Sequence, residues 1–265
     1  MNSDKLAARV ADGTRDSQVT EWIAEASPPK ARVAGVTYGL FFLTLTVGRL
    51  LTDGLVVPDD AQAIAKKILA HELAFRIGFA LDLSSIAFYI GMTVLLYYLF
   101  KPVNRRVSLL AAFFNLMGSA IHGFGAVCKL AVLLVLGGGH YLSAFNVGQL
   151  QGLALLFLKL DDQSWGIALV FFGVYWLLTS SLIFRSTFLP RILAVLPVVA
   201  GLSWLTHLSP SLVNSLSPGI GILGIFGEVS LMLWLLVMGV NSQRWIERTS
   251  KASEPDRRVK DEAAV

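Results

Sequence analysis

The stretch 109–136, LLAAFFNLMGSAIHGFGAVCKLAVLLVL, is long and apolar enough to cross a bilayer, yet it holds Asn115, His122 and Lys129 at intervals of seven. Seven residues is close to two helical turns, so the three fall on one stripe, with Ser119 beside them. A polar stripe on a spanning helix cannot face lipid cheaply; it faces protein or a watery cavity. A many-spanning bundle with a polar interior satisfies this requirement.

Composition points the same way. Of 265 residues, 55% are hydrophobic and only 15% are charged, with a mean hydropathy of +0.65. A soluble domain interleaves its apolar residues with charge, about a quarter of the total. Here the charges bunch into tails and connections between long apolar blocks, the pattern of membrane spans. The net charge of +4 comes from bases flanking those blocks, as at lipid headgroups, so no nucleic-acid partner is expected. Cys128 is the single cysteine and predicts a small apolar filler, with no disulfide. No secretory signal is expected in the polar N-terminal segment.

The predicted fold class is all-α: a polytopic membrane protein with a bundle of six transmembrane helices. The spans fall at about 33–51, 73–100, 109–136, 165–184, 191–207 and 218–240. A cytosolic polar tail (1–30) precedes the membrane domain (31–241), and a charged tail (242–265) follows it. Short interfacial helices are expected in the first connection, after Pro58, and in the third, over 141–160, where Asn146, Gln149 and Gln151 interrupt the apolar run. Asp161 and Asp162 read as a solvated loop, Pro197 as a kink, and Trp165, Trp204 and Trp245 as members of an aromatic belt. The basic residues Lys30, Arg32, Lys101, Arg105, Arg106, Arg185, Arg191, Arg244, Arg248 and Lys251 place both termini in the cytoplasm.

Helical rise puts Asp82 ~14 Å and Glu228 ~15 Å into their spans, near mid-depth. Arg76, Lys129 and Arg49 lie nearer the outer side. An unpaired charge at mid-span costs about 2.5–3.5 kcal/mol on insertion scales, so mutual pairing in a shared interior is expected. Arg76, Asp82, Asn115, His122, Lys129 and Glu228 are the candidate cavity or ligand-binding residues. Arg49, His71, Glu72 and Gln151 are secondary candidates. Arg76 and Asp82 are six apart and do not pair directly. Gly35 with Gly39, and Gly221 with Gly224 below Glu228, allow close helix approach. Gly219, Gly221 and Gly224 spell a nucleotide-binding pattern, but no strand precedes them. HELAF, from His71, lacks the second histidine of a zinc helix. No metal and no cofactor are expected.

Six segments carry a family resemblance: ARVAGVTYGLFF, AFRIGFALDL, YYLFKPVNRRVSLLAAFFNL, YLSAFNVGQLQGLALLFLKL, GIALVFFGVYWLLTSSLIFRSTFLPRILAV and GEVSLMLWLLVMGV. Together they cover about 31–240, and the chain resembles the bacterial integral-membrane family catalogued as domain of unknown function 4386. The resemblance implies the cytoplasmic membrane of a prokaryote. It implies pattern positions at Arg76, Asp82, Gly227 and Glu228, and no established activity or catalytic residue.

Three functions compete at this point. The first is binding or movement of a small molecule or lipid through an outward-facing polar cavity. The second is a structural or interaction subunit whose buried charges are interhelical ion pairs. The third is an intramembrane enzyme. The expected partners are the bilayer and a small molecule or lipid.

Overall fold

Six helices are long and apolar enough to cross a membrane. The structure, a computed structural model, describes residues 28–57 and 59–250; the expectations for Pro58 and most of both tails lie outside the described residues. Those residues form helices and no strands.

We number the helices α1 (Pro28–Asp53), α2 (Ala61–Ala70), α3 (Glu72–Phe100), α4 (Arg105–Leu136), α5 (Val147–Arg185), α6 (Val195–Leu205), α7 (Pro210–Leu216) and α8 (Gly219–Val237). The six candidate spans, the fifth being α6 with its flanking 3-10 turns (Arg191–Leu208), pack in a closed circuit: α1 on α3, α3 on α4, α4 on α5, α5 on α6, α6 on α8, and α8 back on α1. Their inward faces supply one core, including Tyr38, Tyr89, Phe172, Trp176 and Leu231. Leucines, valines and phenylalanines stay exposed on the outward faces, as for a bundle whose surrounding medium is lipid.

The first connection holds the expected short helix. Asp60 caps α2 by accepting from the Ala63 backbone N–H at 2.8 Å. Ile64 and Ile68 pack beneath it against Phe75, Val132, Ala154 and Leu158.

The third connection differs from expectation. Residues 147–160 are not a separate interfacial helix but the first half of α5, which runs unbroken for 39 residues. At 1.5 Å per residue that is ~58 Å, about twice a hydrocarbon core. No proline or glycine interrupts 153–165, so nothing stops the helix there. The polar residues read as interruptions start it instead: the Asn146 side chain accepts from Gln149 N, and the Gln149 side chain accepts from Asn146 N.

Two smaller corrections follow. Pro197 lies in the first turn of α6, after a 3-10 turn (Arg191–Ala194), so its missing N–H breaks no mid-helix bond. The C-terminal flank is helical over 242–250. Trp245 there is 1% exposed and donates its indole N–H to Leu99 O at 3.1 Å.

Candidate functional site

Asp82 on α3 anchors a buried charge cluster. Its Oδ2 accepts from Lys129 Nζ at 2.7 Å, and its Oδ1 lies 3.0 Å from His122 Nε2. Lys129 and His122, two turns apart on α4, reach the same carboxylate from one stripe. Lys129 Nζ also stands 3.4 Å from Asp161 Oδ2 on α5. Arg49 of α1 closes the group, its guanidinium carbon 4.7 Å from the centre of the Trp165 ring. Trp165 in turn meets the His122 ring edge-on, with centroids 4.8 Å apart.

Glycines set the backbone approach that short acids need. A Cβ on Gly48 would meet Gly78 O at 3.0 Å and Asp82 N at 3.2 Å, so α1 and α3 cross beside Asp82. A Cβ on Gly125 would stand 2.6 Å from Asp161 Oδ1. Two carboxylates, Asp82 and Asp161, then lie in one group with Lys129, His122 and Arg49. Lys129 is 2% exposed, so it does not snorkel to a headgroup layer.

The cluster borders a cleft of about 410 Å3 at the end of the bundle where α1 leads into the first connection. Arg49, Lys129 and Asp161 form its polar floor, and Val56, Val57, Leu155 and Leu158 its apolar wall. At the rim, Lys159 pairs with Asp59 at 2.6 Å. The Lys159 hydrogen bond and charge hold the exposed Asp59 carboxyl below its ordinary value. Two side-chain atoms of these lining residues, Arg49 Nη2 and Asp161 Oδ1, are buried without a hydrogen-bond partner, and Asp161 Oδ1 packs against Gly125. Buried donors and acceptors are normally paired, so these two atoms are exceptions within the cluster.

Glu228 is elsewhere. Its Oε2 accepts from the Tyr38 hydroxyl and its Oε1 from the Trp204 indole N–H, each at 2.5 Å. Among the described residues no base lies within ion-pair distance of it. The acid sits between α1, α6 and α8, on the far side of an aromatic wall that includes Tyr38, Tyr89 and Phe172. One interior shared by both acids is therefore corrected to two separate clusters.

The remaining candidates divide. Asn115 is fully buried toward the core and accepts from Ser119 Oγ at 3.3 Å. Arg76 does not join the cluster; it pairs with Glu72 at 2.7 Å on the surface, with both side chains about half exposed. Its position early in α3 leaves it facing outward, where a base needs no buried partner. His71 is exposed between α2 and α3, and Gln151 is half-buried near the start of α5. Arg49, a secondary candidate, belongs to the floor itself.

Sequence reasoning missed Asp161, Trp165, Tyr38 and Trp204. Asp161 is not in a solvated loop; it is 6% exposed within α5. The absence of a helix breaker around it was the usable signal. The three tryptophans expected in an aromatic belt each make an inward contact, Trp165 with Arg49, Trp204 with Glu228 and Trp245 with Leu99 O. Nothing in the local sequence distinguishes Tyr38 from its aromatic neighbours.

Comparison with known proteins places these features in a family without assigning a reaction. No solved structure matches this chain. An uncharacterised protein of Archaeoglobus fulgidus is 25% identical over 151 residues, covering 57% of this chain and 76% of that relative. The family model described as "Domain of unknown function (DUF4386)" matches residues 33–239, which takes in every helix of the circuit, and the chain belongs to that family.

Proposed function

We propose that this chain is a membrane-embedded binding protein for a small amphiphile, whose polar head enters the cleft beside Arg49 and Asp161. The observation that carries this reading is a cleft lined by one cation and one acid, Arg49 and Asp161, each with a buried side-chain atom that has no hydrogen-bond partner. A head group with an acceptor for the guanidinium and a donor for the carboxylate suits these two residues, and the Val56, Val57, Leu155 and Leu158 wall suits an apolar tail. The cleft's volume of about 410 Å3 is in the range of small-molecule sites. The Asp82–Lys129–His122 contacts are closed and support a holding role: they fix Lys129 and, through it, Asp161.

In this reading the chain lies in the cytoplasmic membrane of a prokaryote with both termini inside, so the cleft faces outward. Support comes from the basic residues gathered at the opposite end, by the positive-inside preference. Movement of the ligand across the bilayer extends the same proposal.

The test uses purified protein in mild detergent. Thermal stabilisation is measured with short-tailed alkyl compounds bearing carboxylate, phosphate, hydroxyl or zwitterionic heads. At least one head class is expected to raise the unfolding temperature of the wild type, with the shift lost in Arg49→Leu and Asp161→Asn. No shift with any head class, or an equal shift in both variants, overturns the reading.

A further inference from the structure

The end of the bundle opposite the cleft carries an arginine groove that the cleft reading does not use. Trp245 docks segment 242–250 under α3, and this fixes Arg244 and Arg248 across from the connection that holds Arg191. The three arginines line a groove of about 490 Å3 with Ser186, Thr187 and a single acid, Glu247. None of the ion pairs among the described residues uses any of them. Arg191 lies over the Phe184 ring at 5.8 Å, and among the described residues the Arg244 side chain reaches only Thr187 O, at 3.5 Å. Three like charges held around one groove repel each other, and an anion between them reverses that cost.

A second groove, about 460 Å3, runs on from the first and shares Thr187, Leu189, Pro190 and Arg244 with it. It is mostly apolar, with Phe188, Trp234 and Met238 in its lining. Both grooves lie where α5 and α8 end, the level at which a spanning bundle meets headgroups. We infer that this paired groove binds an anionic phospholipid of the adjoining leaflet, its phosphate among Arg191, Arg244 and Arg248 and an acyl chain against Trp234 and Met238. Guanidinium groups suit the head because they bond phosphate oxygens in a planar fork. The apolar lining of the second groove, next to the arginines, favours a lipid over a free phosphate. The inference is independent of the cleft's ligand and of which leaflet adjoins.

The experiment places the full chain in nanodiscs of phosphatidylcholine and measures quenching of tryptophan by acyl-brominated phosphatidylglycerol or acyl-brominated phosphatidylcholine. Trp234→Phe defines the part of the signal due to Trp234. That part is expected to be quenched at several-fold lower mole fraction of the brominated phosphatidylglycerol. Arg191→Gln with Arg244→Gln should weaken the preference by about fivefold per arginine, while the two Arg→Lys changes keep most of it. Equal quenching by both lipids in the wild type overturns the inference, and that comparison needs no variant in the groove. Relief of quenching by millimolar inorganic phosphate would also overturn it, because the site would then belong to a soluble anion.

Discussion

The Lys129 ammonium lies 2.7 Å from Asp82 Oδ2, a contact between residues 47 apart that ties α4 to α3 inside the bundle. The same nitrogen stands 3.4 Å from Asp161, so one buried charge links three helices of the circuit. Removing one member leaves the others charged and dry. Asp82→Ala is expected to cost about 3–5 kcal/mol, the usual loss when a buried pair is broken. The double change Asp82→Leu with Lys129→Met should recover more than half of that, because it leaves no orphaned charge. Unfolding in detergent, followed by near-ultraviolet circular dichroism, measures both. A loss below about 1 kcal/mol for Asp82→Ala would show that the pair does not hold the helices.

Glu228 offers a different contrast, since both its oxygens accept from neutral donors. Glu228→Gln puts an amide NH2 where one of those donors points. The buried mismatch is expected to destabilise by about 1–3 kcal/mol, and Tyr38→Phe by about 1 kcal/mol through loss of one hydrogen bond. A Gln variant as stable as the wild type would mean that the carboxyl is already protonated in the folded protein and donates one of its own bonds.

The glycines of α1 are not equivalent. A Cβ on Gly35 would stand 2.5 Å from Leu236 N and 2.8 Å from Leu236 Cα, both backbone atoms of α8 that cannot swing aside. A Cβ on Gly39 meets only Met232 Sδ, at 3.8 Å. Gly35→Ala should therefore separate α1 from α8 at a cost of about 1–3 kcal/mol, as overpacking does. Gly39→Ala should be neutral or slightly stabilising, because alanine is the better helix former. Equal effects at the two sites would contradict the α1–α8 crossing.

Orientation can be read with thiols, because the native Cys128 is buried. Ser143, in the connection between α4 and α5, and Ser250 are exposed at opposite ends of the bundle. With both termini inside, Ser143→Cys in intact cells should react with a membrane-impermeant maleimide. Ser250→Cys should react only after the membrane is opened. The reverse pattern would invert the topology and turn the cleft toward the cytoplasm.

Much of this protein follows from local order in the chain. The length and purity of the apolar blocks specify six spans, because a lipid-embedded backbone must satisfy its own hydrogen bonds. The seven-residue spacing of Asn115, His122 and Lys129 puts them on one inward stripe, because helical periodicity needs no knowledge of neighbours. What that stripe meets depends on which helices adjoin in the circuit. Asp161 reaches Lys129 only because α5 continues through 147–165, and Glu228 is parted from Asp82 because α8 packs on α1 and α6, with no major contact to α3. Arg76 and Asp82 share a helix yet have opposite fates, since facing direction after packing decides whether a charge must be paired. Partner choice among buried charges is set by distances between helices, and those distances are properties of the closed bundle.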